Sequence, residues 1–309
     1  MSSVAAAPQG GGRLRASGPR RLLRRPHRRS VLAFGYMAVP LALLLIFFLA
    51  PLITLVDRSF RWELISEKTG FTFQNYSHIF SDHTYVHIFL QTVEIAAIAM
   101  GVELLIALPL AYVLAYRARR WEIPLLLLLV LADQLNPMVR IYAWRMLLGK
   151  EGLINSTLMT LNVIHHPISA LLFSRFSVIV VLVTGSMVYT AMPIYASMKA
   201  VDRRLFEAAR DLGASWPRTM RSVLLPLVAP GIFISIVLVF IPFFTEFATP
   251  GLVGGRSGYM IGNTIAELIS ATGEFGGGTA MSIVLLMGAG VFSLLAFALT
   301  RMKNLETAA

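Results

Sequence analysis

No cysteine occurs in the 309 residues. Disulfides, thiolate nucleophiles and Cys-ligated metal centres are therefore excluded. Charge is scarce as well: Asp, Glu, Lys and Arg make up 14% of the chain, against 56% apolar residues. A soluble fold of this length has no interior large enough to hide so much apolar surface, so the class is a membrane protein that crosses the bilayer several times. Signatures of catalysis are missing too. There is no Gly-x-x-x-x-Gly-Lys-[Ser/Thr] phosphate loop, and Gly149-Lys150 has no glycine five residues upstream. No His-Glu-x-x-His or Gly-x-Ser-x-Gly occurs. His165 and His166 are adjacent before Pro167, and neighbouring side chains diverge, so no metal pair is expected. The chain is not expected to be an enzyme.

Acids are absent from residues 1–30, which hold eight arginines among Ala, Gly, Ser and Pro. Such a stretch is a disordered basic tail. Directly before an apolar run, it sets orientation or touches anionic lipid more readily than nucleic acid. Residues 31–56 then run uncharged. That is too long for a signal-peptide core, and no small-x-small site follows, so an uncleaved first span is expected. Further spans are expected at 85–116 (interrupted by Glu94 and Glu103), from Ile123, at 176–198, at 222–245 and at 275–300. The third is the least regular, because Asp133, Arg140 and Arg145 break it. Apolar runs of this length are transmembrane helices; a β-barrel would alternate in short strands. The fold class is therefore all-α with six transmembrane helices.

Six spans put both termini on one side. With the N-terminus inside, residues 1–30, 117–122, 199–221 and 301–309 carry 19 of the 27 Lys and Arg residues, and the opposite segments carry 8. The positive-inside rule thus favours cytoplasmic termini. The expected organisation is a basic tail (1–30), a first span with an outer segment (31–84), a core (85–300) with a polar cytoplasmic loop at 199–225, and a short tail (301–309). In the outer segments, 71–81 reads as amphipathic and interfacial. Residues 137–167 read as a bent helix and loop, 249–255 as turns, and 261–270 as a short helix in or dipping into the membrane.

The loop between the fourth and fifth spans is the most specified stretch. Asp202 can cap a helix, its carboxylate accepting from first-turn N–H groups. Ala208 and Ala209 are small helix formers that let another surface approach. Gly213 suits the left-handed residue that ends a helix. Ser215 can cap a second helix with Pro217 in its first turn, and Pro226 opens the next apolar run. Glu207-Ala208-Ala209, three residues, Gly213, nine residues, Val223, one residue, then Leu225-Pro226 resembles the EAA signature of permease subunits of ATP-binding-cassette importers. The family often has Ile at the position of Val223. Pro109-Leu110-Ala111-Tyr112, Arg140-Ile141-Tyr142, Gly152-Leu153-Ile154-Asn155, Pro193-Ile194-Tyr195 and Ile261-Gly262-Asn263 resemble the spermidine/putrescine-type subgroup. One stretch departs from that subgroup: Ala132-Asp133-Gln134-Leu135-Asn136-Pro137 replaces a Pro-aromatic-Trp-Thr-like segment.

The resemblance implies a type I importer permease in a bacterial inner membrane. It implies a second permease chain, two ATPase subunits that bind ATP and Mg, a periplasmic solute-binding protein, and alternating access. No cofactor belongs to this chain. Glu207, Ala208, Ala209, Gly213 and Pro226 are the implied ATPase-coupling positions. A stand-alone secondary transporter would need an internal repeat of its spans, and none is visible; a non-transporting scaffold would have no use for the EAA spacing.

Ionisable residues inside spans are candidates for function by default. Glu94 and Glu103 are nine positions apart, on opposite faces of one helix. Glu94 is near the outer end. Glu103 is deeper, and its readings are a polar contact between helices, a contact to a neighbouring subunit, or a pathway role. Asp133 stands at a polar, broken span end that resembles cavity lining, and Glu246 ends the fifth span. With Tyr142, these two acids are the candidates for the substrate path, although aromatics near span ends also serve as interfacial anchors.

Overall fold

The computed structural model describes residues 28–64, 67–118 and 120–306. The basic tail apart from its last three residues, and the end of the C-terminal tail, lie outside them. Among the described residues, helices are α1 (Arg28–Ser59), α2 (Gln74–Ser81), α3 (His83–Tyr112), α4 (Glu122–Asp133), α5 (Pro137–Leu148) and α6 (Leu153–Thr160). They continue with α7 (Arg175–Ala200), α8 (Arg204–Asp211), α9 (Trp216–Thr219), α10 (Leu225–Thr245), α11 (Ile261–Glu267) and α12 (Phe275–Glu306). Internal contacts divide the chain into residues 1–52 and 53–309. The first unit contributes the described residues of α1 up to Leu52, and the second holds the remaining helices.

Among the described residues, five helical runs are long and apolar enough to cross a bilayer: Met37–Ser59, His83–Arg117, Arg175–Ala200, Trp216–Thr245 and Phe275–Ala298. A sixth arises only if Glu122–Asp133 and Pro137–Thr160, bent by 91° at their junction, count as one broken span. Alone, α4 rises about 18 Å, short of the roughly 30 Å of hydrocarbon. The break has a local cause. Asn136 has ψ 128°, the extended setting that a following proline favours. Its side chain accepts from the Met138 N–H at 2.9 Å, and Pro137 opens the new helix, where no N–H is needed.

The fifth span begins six residues earlier than the apolar run suggests. Met220–Leu224 form a widened turn that joins α9 to α10, and Leu225 donates to the Met220 carbonyl. This turn carries the helix past Pro226, which has no N–H to give. A feature absent from the sequence reading is a two-stranded hairpin, β1 (Arg61–Leu64) with β2 (Glu67–Phe71), antiparallel with a register shift between Arg61 and Glu63. Buried Asn75 of α2 fastens it, donating to the Ser59 and Arg61 carbonyls at 2.9 Å each. Asp82 caps α3; accepting from the Thr84 N–H at 2.7 Å holds its carboxyl below the usual carboxylate range.

The core lies where α3, α7, α10 and α12 meet, around Ile95, Ala99, Val181, Phe244 and Met281, all buried. Small residues set the closest approaches: a Cβ on Gly231 of α10 would lie 2.6 Å from the Pro193 carbonyl of α7. Nearby, Ser235 donates to the Thr190 carbonyl at 2.8 Å. At the other end, Gln91 of α3 donates to the Ser257 and Tyr259 carbonyls, and Ser177 of α7 to the Val253 carbonyl. The 250–260 segment is thereby tied to two helices, and α11 follows it as the expected short helix.

Candidate functional site

The loop after α7 folds as a helix, a left-handed turn and a second helix. Asp202 accepts from the Arg204 N–H at 2.9 Å, although it stands one residue before the N-cap position, which Arg203 occupies without a side-chain cap bond. Gly213 has φ +77°. Its N–H reaches the Arg210 carbonyl at 2.8 Å, and the Ala214 N–H reaches the Ala209 carbonyl at 3.0 Å. These two bonds form a Schellman motif, which satisfies the last carbonyls of α8. Ser215 does stand before α9, with Pro217 in its first turn, but its side chain makes no capping bond. Its carbonyl instead accepts from the Thr219 N–H and hydroxyl.

The two faces of α8 differ. Phe206 and Ala209 are half-buried, while Glu207, Ala208, Arg210, Asp211 and Gly213 are exposed. Leu212, an apolar residue, is 88% exposed at the tip. Beneath the ridge, Phe206 meets Tyr116 edge-on at 5.4 Å and Trp216 meets Tyr112 at 6.1 Å. The Arg203 guanidinium lies 5.6 Å above the Tyr116 ring. Pro226 is exposed in the first turn of α10. Glu207 and Ala208 therefore face outward, whereas Ala209 faces its own chain.

Sequence reasoning missed one residue at this end of the helices. Glu122, the first residue of α4, pairs with Lys199 Nζ at 2.8 Å and accepts from the Tyr195 hydroxyl. Beside it, the Tyr116 hydroxyl donates to the Met198 carbonyl at 2.6 Å. The available signal is a lone acid in the basic segment 117–122.

The acids within the spans have distinct partners. Glu103 is fully buried and accepts from the Ser186 hydroxyl at 2.8 Å and the Thr190 hydroxyl at 2.6 Å. It joins α3 to α7 within the chain, the helix–helix contact among its three readings. Glu94 takes both of its bonds from Arg175 Nη1 at 3.0 Å, and Arg175 Nη2 donates to Gln91. Asp133 is half-buried at the end of α4. Glu246 accepts from the Ala248 and Thr249 N–H groups at 2.9 and 3.1 Å, and so starts the next helical turn. Tyr142 is 51% exposed on α5. Among the described residues, no hydrogen bond or ion pair joins any two of Asp133, Tyr142 and Glu246. On α5, the Arg140 guanidinium lies against α7 where Gly185 leaves room, and a Cβ there would be 2.6 Å from Arg140 Nη2. Arg140 Nε is buried without a hydrogen-bond partner. Outside the spans, burial and a 2.6 Å hydrogen bond to Glu267 push the Tyr259 phenol up to about 12.

Comparison with known proteins places this geometry. Residues 37–304 match the family described as "Binding-protein-dependent transport system inner membrane component". Over 263 residues the chain is 32% identical to the spermidine/putrescine transport system permease protein PotB of Escherichia coli, covering 84% of this chain and 95% of that one. The PotB protein of Haemophilus influenzae is 32% identical over 223 residues, covering 72% and 77%. The inner membrane ABC transporter permease protein YdcU of Escherichia coli is 27% identical over 227 residues, covering 69% and 71%. The fold resembles a chain of a bacterial ABC transporter involved in import of the acidic polysaccharide alginate, with TM-score 0.73 and 16% identity over 89% of this chain and 96% of that one. It also resembles a chain of the MetNI methionine ABC transporter in inward-facing form, with TM-score 0.51 and 15% identity over 71% and 95%. With a family match spanning most of its length and relatives of this identity, the chain belongs to the binding-protein-dependent transport system inner membrane components, the permease subunits of ABC importers.

Proposed function

We propose that this permease subunit forms, with a second permease chain, the path by which a small organic cation of the polyamine type enters the cell. The observation that carries the coupling part is the exposed ridge of α8, closed by a left-handed glycine and braced by aromatic rings from beneath. An ATPase subunit docks there and binds the ATP and Mg; this chain has no phosphate loop of its own. Glu207 and Ala208 meet the ATPase, Ala209 and Gly213 fix the shape of the ridge, and Pro226 marks where the ridge hands over to α10. ATP binding stabilises one conformer over the other, and without such a differential no population shift occurs. Two ATPases serve the permease pair, and a periplasmic binding protein delivers the solute on the opposite face. In this orientation residues 1–30, 199–221 and 301–309 are cytoplasmic, a reading supported by the Lys and Arg distribution.

Substrate class rests on two supports. The relatives at 32% identity are named for spermidine and putrescine. Asp133, Tyr142 and Glu246 offer two carboxylates and an exposed ring, groups that attract an ammonium. The test is uptake of labelled spermidine and putrescine by cells expressing the chain with its partners. Asp133→Asn and Glu246→Gln keep shape and remove charge. Polyamine uptake that falls in at least one variant is expected. No polyamine uptake by the native complex would overturn the substrate class. Native rates with unchanged solute preference in both variants would overturn the path.

A further inference from the structure

No residue of α4 is buried. Its half-buried positions are Glu122, Leu125, Leu126, Leu129, Val130 and Asp133, a single stripe at helical spacing, and α4 packs on α7. The stripe starts and ends on a carboxylate, and the first of them, Glu122, meets a tyrosine of α7. Glu122 holds Tyr195 and Lys199, which are four residues apart and share a face of α7. Leu125, Leu126, Leu129 and Val130 pack between Glu122 and Asp133, and the Glu122–Lys199 ion pair adds a directional contact to that packing.

The two ends lead to different places. Beyond Asp133 the chain turns by 91° into α5, where Ile141 is buried. At the Glu122 end, Lys199 is the penultimate residue of α7, and α8 begins at Arg204. Tyr116 ties that junction further, donating to Met198 and lying beneath Arg203. Glu122 is thus the ionic contact between α4 and the end of α7 from which α8 continues.

We infer that Glu122 is the positioning residue through which displacement of α8 is passed to α4, and along that helix to Asp133. The inference rests on the coupling role proposed above for α8. A rigid helix moves as one body, so a shift of the Lys199–Tyr195 pair draws Glu122 and carries Asp133 with it. Without the Glu122 contact, movement of the Tyr195–Lys199 end of α7 reaches α4 only through the apolar stripe.

The test uses the assembled complex in proteoliposomes with its binding protein, and reads solute imported per ATP hydrolysed. Glu122→Ala removes both contacts; Glu122→Gln keeps an acceptor for Tyr195 and removes the ion pair. Expected are native assembly with the ATPase and a fall in the ratio of about fivefold or more for Glu122→Ala, with a smaller fall for Glu122→Gln. Restoration of the ratio by Glu122→Lys combined with Lys199→Glu would support the inference further. A native ratio in both single variants overturns it. So does a change confined to membrane level, which would make the contact merely structural. Gly213→Val separates this from the underlying reading. If Gly213→Val imports natively with normal ATPase association, the coupling role of α8 has failed. If it is impaired while both Glu122 variants import natively, only the role of Glu122 has failed.

Discussion

Replacing Gly213 with valine perturbs the α8 turn while leaving the packed core alone. At φ +77° the residue is in the left-handed region, and a Cβ built there meets nothing within 4 Å. The substitution therefore adds no clash, and its whole cost is conformational. For a β-branched residue that cost is about 1–2 kcal/mol, which lowers the population of the turn about 5–30-fold. The bonds at stake are the Schellman pair, Gly213 to Arg210 and Ala214 to Ala209. Losing them unwinds the end of α8 and redirects α9. Gly231 and the Ile95–Phe244 core are remote in the chain and keep their contacts, so the amount of protein in the membrane should be native. Uptake and co-purification with the ATPase should both fall. Gly213→Asn is the control, because Asn visits the left-handed region more readily, and it should retain more of both. Full uptake with normal association in Gly213→Val would refute the reasoning, since the turn would then be a linker. Equal losses in the Val and Asn variants would also refute it, because bulk rather than backbone conformation would be responsible.

Ser215→Cys, in a chain with no native cysteine, should resist an impermeant thiol reagent applied outside intact cells; labelling from outside would overturn the topology. Glu103→Ala strands the Thr190 hydroxyl in a buried site, a loss of about 1–3 kcal/mol, and should lower the melting temperature of the purified protein; an unchanged melting temperature would show that the α3–α7 contact carries no stability. Ala208→Leu should weaken ATPase association at native membrane level, because Ala208 faces outward, whereas Ala209→Leu should disturb the packing beneath α8. Indistinguishable phenotypes in expression and association would refute that division of faces.

Local chemistry is legible where a residue type has few alternatives. Gly213 announces a left-handed helix end, and Asp202 a helix start, because both effects act within a few residues. The apolar runs announce the long helices for the same reason. The third span is less legible. Asn136-Pro137 marks the break, but the 91° bend depends on where α5 finds its buried neighbours. From the sequence the fifth span starts at Ser222, since charge at Arg218 and Arg221 ends the apolar run. Yet helical geometry needs no apolar side chains at an exposed end, and α9 continues through Met220–Leu224 into α10. The hairpin of four- and five-residue strands is too short to display a period.

Ionisable residues in apolar runs are the right places to look, but the sequence does not say what each will find. Glu103 meets two hydroxyls of α7 that lie more than eighty residues away, and no local pattern encodes such a meeting. Glu246 begins a helical turn, so its carboxylate has a structural use before any solute arrives, and Glu246→Gln must be read with that in mind. Asp133 differs from both. Among the described residues its carboxylate makes no ion pair and accepts from no row of backbone N–H groups, so taking up an ammonium strands no such partner. Of the acids in the spans, Asp133 is therefore the one left freest to receive a cationic solute, and Asp133→Asn is the variant on which the polyamine reading most directly depends.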